Sequence, residues 1–391
     1  MTTHIMPTYA RQAVTFERGE GAWLWDTDGN RYLDALAGIA VCNLGHSHPA
    51  VHQALSEQSR TLIHTSNLYG VPLQERLADQ LCHLSGMDNV FFCNSGTEAN
   101  EAAIKIARKF GHGKGVECPI VVSMNKSFHG RTLGALSATG NPKVKQGFEP
   151  LLAGFIHVDY DDMATLTTLV ESNASIVAIL VEPVQGEGGV NMPSPHYLND
   201  IRALCDRHDL LMMVDEIQTG IGRTGQFLAY QHNDILPDVC TLAKALGNGV
   251  PIGACLSHGK AAAVLTAGNH GSTFGGNPLA CSAALAVLHE LSSTDLIAEA
   301  RRKGQQIHDR LAHSLADNRH VVTIRHKGLM IGIELDTPCS TLVAQALEKN
   351  LLINVTADNV IRLLPPLIID DEQIAFLTDT LSSLIHTHFA N

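Results

Sequence analysis

Charge is scarce in this chain of 391 residues, of which only 17% are Asp, Glu, Lys or Arg. Soluble proteins usually carry about a quarter. A disordered chain needs high charge and few apolar residues, so the hydrophobic fraction of 45% excludes one. At roughly 150 residues per domain, the length suggests two or three domains. Basic charge is scarcer still, with 27 Lys+Arg against 39 Asp+Glu and a net charge of −12. No basic cluster interrupts that balance, and the scattered His are mostly neutral at pH 7. Nucleic acid is therefore excluded as a partner. Nine Cys lie far apart with no CxxC pair, which excludes a disulfide scaffold or a cysteine zinc site and predicts a reduced, cytoplasmic setting. Long apolar runs are missing too. Ile176–Val181 is as long as any, far short of the ~20 residues of a membrane helix. The first residues show no basic segment followed by an apolar stretch, so no secretory signal is expected. GxxxxGK[ST] is absent, and so is a GxGxxG that follows a strand. Gly111-His112-Gly113-Lys114-Gly115 follows a helical stretch and reads as a flexible loop.

Short apolar runs are present instead. Val90–Cys93, Ile120–Val122, Ile176–Val181, Leu210–Val214 and Val239–Leu242 are mostly apolar throughout rather than alternating. Strands look like this when helices cover both faces of a parallel sheet. Between them, Ala103, Ile106, Ala107 and Phe110 make one apolar helical face, and Tyr197–His208 reads similarly. The expected class is α/β. Trp23–Leu33 contains Asp28-Gly29-Asn30, a hairpin signal. After about residue 290 come helix, strands near Val321–Arg325 and Met330–Leu335, and an amphipathic helix from Asp371. The expected organisation is a large central domain over 61–289 and a smaller α/β domain built from 1–60 and 290–391.

Three segments carry chemistry. Asn94-Ser95-Gly96-Thr97-Glu98 follows a strand and opens a helix. Free N–H groups, a glycine and two hydroxyls there would cradle a phosphate, although an ordinary capped helix start looks the same. Asp215 ends the apolar strand Leu210–Val214, where ligands of open α/β sheets bind. Lys244 closes another strand among small residues. Desolvation there would lower its pKa and free the amine for nucleophilic work, unless it snorkels to the surface. The two are about one βα unit apart. A phosphate cradle, a buried carboxylate and a desolvated lysine together are what pyridoxal 5'-phosphate requires. His46, His48 and His129 have no carboxylate or Cys at ligand spacing, so no metal is expected.

Over nearly its whole length the sequence resembles the class III (subgroup II) aminotransferases of PLP fold type I. The resemblance is carried by Trp25–Gly29, Gly45–Pro49, Ser66–Tyr69, Asn94–Lys105, Phe128–Thr132, Val181–Gly189, Asp215–Gly225, Lys244, Gly271–Asn277 and Arg362–Leu367. It implies a large, mostly parallel sheet covered by helices, with a smaller domain beside it. It implies that Lys244 carries the cofactor and shuttles a proton, that Asp215 pairs with the pyridine nitrogen, and that Gln218 binds the phenolic oxygen. Ser95, Gly96 and Thr97 would hold the phosphate, Phe128 and Ile217 the two ring faces, and Thr273 the phosphate of a neighbouring subunit in a homodimer with shared active sites. Arg131 would bind the donor's carboxylate and Arg362 the α-carboxylate of 2-oxoglutarate, with Ser272 also at the substrate. Glu187, in a glycine-rich segment read as mobile, would pair with Arg362 when no α-carboxylate is bound. Within the family the resemblance favours N2-acetyl-L-ornithine as donor. Succinyldiaminopimelate, succinylornithine, ornithine, 4-aminobutyrate and an aminomutase of the glutamate-1-semialdehyde type stand as alternatives. Gly70, Asn248 and Val250 depart from the residues usual at the entrance.

Overall fold

The computed structural model describes residues 4–389. Strands β1 (Phe16–Glu20), β2 (Trp23–Asp26) and β3 (Arg31–Asp34) form an antiparallel meander near the N-terminus. The β2–β3 turn is held by Asp26, whose Oδ1 accepts from the amides of Asp28 and Asn30 at 3.0 and 2.8 Å. The central sheet follows: β4 (Asn89–Cys93), β5 (Ile120–Met124), β6 (Phe155–Val158), β7 (Ile176–Val181), β8 (Leu211–Asp215), β9 (Val239–Leu242) and β10 (Gly253–Ser257). Its order is β4-β10-β9-β8-β7-β5-β6. The β9-β8-β7-β5-β6 neighbours are parallel, while β10 runs antiparallel to both β9 and β4. The C-terminal third adds β11 (Val321–Lys327), β12 (Met330–Leu335), β13 (Leu351–Leu352), β14 (Asn354–Thr356) and β15 (Val360–Leu363). Four of these make the antiparallel sheet β11-β12-β15-β14, and β13 joins the N-terminal meander, parallel to β3.

The unbroken apolar strands follow from packing on both faces. On β8, Met212 and Val214 join a cluster with Ile201 and Leu204 of the helix Tyr197–His208. Leu211 and Met213 join a second cluster with Ala103, Ile106 and Ala107 of the helix Gly96–Gly113. Successive side chains point to opposite faces, so a strand covered on both sides has no polar position to alternate with. Each such side chain contributes about 1.5–3 kcal/mol on burial. The helix Gly96–Gly113 extends beyond the sequence expectation, because Gly111 belongs to it and not to a loop. A Cβ at Gly111 would lie 2.7 Å from Val177 Cγ1, so glycine there lets the helix lie close to β7. Among the described residues no helix is long and apolar enough to cross a membrane.

Arg223 joins the parts of the chain. Its side chain is fully buried. Nη1 donates to the carbonyls of Leu329 and Pro365 at 3.0 and 2.5 Å, and Nη2 donates to Asn43 Oδ1. No carboxylate pairs with it in an ion pair among the described residues, and burial pulls the guanidinium down to about 9. Truncation strands several buried acceptors, each costing about 1–3 kcal/mol. Arg223→Ala is expected to lower unfolding stability by about 3 kcal/mol in denaturant titrations. A midpoint unchanged from the parent would refute this bracing role.

Candidate active site

The parallel strands end along one edge, and the chemistry collects there. Residues just beyond β4, β5, β7, β8 and β9 line a cavity of about 430 Å³ with Val250-Pro251-Ile252, which lead into β10. Ser95, Gly96, Thr97, Phe128, Arg131, Glu187, Asp215, Ile217, Gln218 and Lys244 all face this cavity.

Lys244 follows β9 with φ 47°, in the left-handed region. A non-glycine residue is held there only at a cost of about 1–3 kcal/mol, which surrounding structure must supply. Loss of water pulls its ammonium below the ordinary lysine range. Glu187 and Asp215 oppose that shift, and the Arg362 charge adds to it. Asp215 sits one strand away at the end of β8, buried. Its Oδ2 accepts from Asn100 Nδ2 and contacts His129 Nδ1, each at 2.8 Å, and its Oδ1 accepts from the Ile217 amide at 3.1 Å. These contacts fix the carboxylate in a position facing the cavity.

Ser95 caps the helix Gly96–Gly113, its Oγ accepting from the Glu98 amide at 3.3 Å. Ser95, Gly96 and Thr97, at the start of this helix, all line the cavity. Thr97 Oγ1 lies 2.9 Å from Thr132 Oγ1, which in turn donates to Glu101 Oε1 at 2.5 Å. Glycine at 96 lets Ile217 pack close: an added Cβ would lie 2.7 Å from Ile217 Cδ1. Ile217 thus leans over the cradle from one side, while Phe128 lines the cavity with Arg131 5.5 Å above its ring centroid.

Arg362 lies on β15, fully buried. Nη1 donates to Glu187 Oε1 at 2.6 Å and to Gln218 Oε1 at 3.2 Å, and Nε donates to Asn354 Oδ1 at 3.1 Å. Its Nη2 is buried without a hydrogen-bond partner. Burial pushes Glu187 up, but the Arg362 charge and hydrogen bond outweigh it and hold the carboxyl below the usual glutamate range. Arg362 therefore stands behind the cavity wall, reached through Glu187 and Gln218. The segment bearing Glu187 is not the mobile loop its glycines suggested, for each carbonyl from Glu187 to Val190 accepts a hydrogen bond.

Ser272 and Thr273 are not in the cavity lining. Ser272 Oγ accepts from Asn94 Nδ2 at 3.2 Å and from the Gly275 amide at 3.0 Å, so it braces the loop behind the cradle. Thr273 is exposed, beside an exposed Phe274. Glu182 was missed, although it directly follows β7, close to where Asp215 closes β8, and faces the cavity. Burial and the nearby Asp215 push it well above the usual range, while the amides of Phe128 and Gly186 donate to it at 3.1 and 3.4 Å. His129 and Asn100 were missed as partners of Asp215, because nothing in their spacing points to it. One departure has a local reason. Asn248, with φ 46°, takes a backbone position suited to glycine, and its side chain binds the Leu44 amide and the Gly45 carbonyl at 2.9 and 3.0 Å. Asn is among the few residues that adopt this conformation readily. Val250 lines the cavity, and Gly70 stands in open space.

Comparison with known proteins identifies the family. Residues 5–385 match the family Aminotransferase class-III. The acetylornithine aminotransferase of Nitrosomonas europaea is 54% identical over 383 residues, covering 98% of each chain. An ornithine aminotransferase structure from Toxoplasma gondii, with partial occupancy of PLP at its active site, superposes with a TM-score of 0.94 at 37% identity, over 98% of this chain and 92% of its own. The N-acetylornithine aminotransferase of Stenotrophomonas maltophilia superposes with a TM-score of 0.86 at 36% identity, over 98% of both chains. The fold is that of the PLP-dependent aminotransferases, and the chain belongs to the class-III aminotransferase family.

Proposed function

We propose that this enzyme moves the δ-amino group of N2-acetyl-L-ornithine to 2-oxoglutarate in a ping-pong cycle of arginine biosynthesis. The products are N-acetyl-L-glutamate 5-semialdehyde and L-glutamate. One observation carries the two-substrate reading: buried Arg362, paired with Glu187 on one side, keeps Nη2 without a partner on the other. An α-carboxylate would satisfy that nitrogen and replace Glu187 in a bidentate pair. The donor's identity is supported by the 54% identical relative.

The residues at the cavity fit pyridoxal phosphate. A capped helix start with two hydroxyls, and a glycine where Ile217 leaves no room for a Cβ, suits the phosphate. Asp215, held by Asn100 and His129, would pair with the ring nitrogen. Gln218 would bind the phenolic oxygen, and Phe128 and Ile217 would enclose the ring. When bound, the cofactor supplies an electron sink and a carrier for the amino group. Lys244 would hold it covalently and, once freed, its Nζ would take the proton from the donor carbon and return it on the carrier side. Arg131, exposed at the mouth, would meet the donor's carboxylate. Acetylation removes the charge of the donor's α-amine and prevents cyclisation of the aldehyde product.

We read the active unit as a cytoplasmic homodimer, each subunit having a large domain and a smaller domain made from both chain ends. The β3–β13 pairing supports that division. The dimer is supported by apolar exposure on one segment pair. Leu68 and Tyr69 are 86% and 70% exposed, and Asn67 Nδ2 ties their loop to the carbonyls of Ser272 and Gly275 beside exposed Thr273 and Phe274. Such a patch favours a protein partner over water. Thr273 would there reach the neighbour's cofactor phosphate. Free ornithine is the rival donor, favoured by the TM-score to the Toxoplasma enzyme.

Lys244→Ala is expected to cut turnover by roughly a thousandfold or more, and a purified variant that keeps parental turnover would overturn the assignment. Arg362→Ala should lower kcat/KM for 2-oxoglutarate by about a hundredfold while slowing the donor half-reaction far less. Equal losses in the two half-reactions would refute the division of labour. In a panel of ω-amines with 2-oxoglutarate, N-acetylornithine should give the highest kcat/KM, and a higher value for ornithine or succinyldiaminopimelate would move the donor assignment.

A further inference from the structure

The segment Gly186–Val190 presents Glu187 to Arg362, and its backbone is gripped by residues distant in sequence. Glu187 O accepts from Thr356 Oγ1, on β14. Gly189 O and Val190 O accept from Nη2 and Nε of Arg325, on β11, at 2.5 and 2.8 Å. The remaining nitrogen, Arg325 Nη1, donates to Glu334 Oε2 on β12 at 2.6 Å, so all three guanidinium nitrogens are engaged. Gly188 O accepts from Asn191 Nδ2 at 3.0 Å, and Gln185 and Asn191 exchange two backbone hydrogen bonds. Val190, with φ 52°, buries its side chain in a cluster with Met330 and Leu364. The Glu187 carboxylate is held differently. Its contacts are Arg362 Nη1 at 2.6 Å, behind the cavity wall, and Gln218 Nε2 at 3.5 Å, on the cavity lining.

We propose that Arg325, assisted by Thr356, is a positioning residue that fixes the backbone under Glu187, so that the side chain of Glu187 alone switches and the enzyme's balance between ω-amine and α-carboxylate substrates is set from β11 and β14. The proposal rests on the reading of Glu187 and Arg362 as a substrate-dependent pair. With the backbone held, leaving Arg362 and returning to it involves only side-chain torsions. A freed segment would have to be reordered each time the pair re-forms, and that conformational entropy opposes the paired arrangement. The paired arrangement is the one an ω-amine donor needs, because it masks the Arg362 charge. The unpaired arrangement suits an α-carboxylate. Loosening the grip therefore favours α-carboxylates at the expense of ω-amines.

The test uses single-turnover half-reactions of the holoenzyme, with N-acetylornithine and with glutamate as separate donors, followed by the cofactor's absorbance. Arg325→Ala is expected to lower the ratio of kcat/KM for N-acetylornithine to that for glutamate by about fivefold or more. Arg325→Lys, which keeps the charge but not the fork, should recover part of it. Thr356→Val removes one hydrogen bond at nearly constant shape and should shift the ratio in the same direction, which keeps the test open if Arg325→Ala does not fold. Equal losses with both donors, or an unchanged ratio in folded Arg325→Ala and Thr356→Val, would overturn the proposal. Glu187→Gln separates the two levels. If it shifts the ratio and the Arg325 and Thr356 variants do not, only the positioning role fails. If it leaves the ratio unchanged, the paired-gate reading fails and the proposal with it.

Discussion

For the proposed chemistry, keeping the Lys244 amine short of water is the constraint on which the rest of the site depends. A solvated lysine is an ammonium at neutral pH and neither attacks nor accepts a proton. Here the left-handed turn after β9 points the residue into a cavity walled by strand ends, and burial pulls its pKa down. That requires a sheet with both faces dry and its edge enclosed, which Met212 and Val214 on one side and Leu211 and Met213 on the other provide. Enclosure also needs the antiparallel β10, because Val250-Pro251-Ile252 close the cavity at the strand's start rather than its end.

The same dryness makes charge inside the site costly, and each charged group is handled by a local partner. Asp215 has Asn100 and His129, and Glu187 has Arg362. Glu182 is instead pushed towards its neutral form beside Asp215. A net charge of −12 would repel anionic substrates at long range. In the proposed reaction, Arg131 at the mouth and Arg362 behind the wall would offset that repulsion locally.

The sequence was legible where one strand carries its own signal. The apolar runs ending in Asp215 and near Lys244 declared a doubly covered sheet, and the edge where the candidate site lies, without any partner in view. Long-range pairs were a different matter. Glu187 and Arg362 meet across 175 positions, and only resemblance to a family suggested it. Arg325 was not singled out, because its partners are carbonyls, which every residue has. For the same reason the glycines around Glu187 misled: glycine reports backbone freedom, while the hydrogen bonds that remove that freedom come from β11 and β14. Glu182 is the avoidable omission, since it directly follows the apolar run of β7. The helix through Gly111 was misread because close approach to Val177 and flexibility call for the same residue.

The pairing of β13 with β3 also orders events in time. During synthesis the first three strands leave the ribosome early, but their sheet lacks its fourth member until Leu351–Leu352 emerge. Over the intervening stretch the central sheet can assemble on contacts of its own, since domains generally fold as units as they appear. The N-terminal meander must meanwhile wait with an open edge, and unpaired edges invite pairing with other chains. For a nascent chain of this architecture, the hazard of misassociation is concentrated in the long interval before Leu351–Leu352 are made.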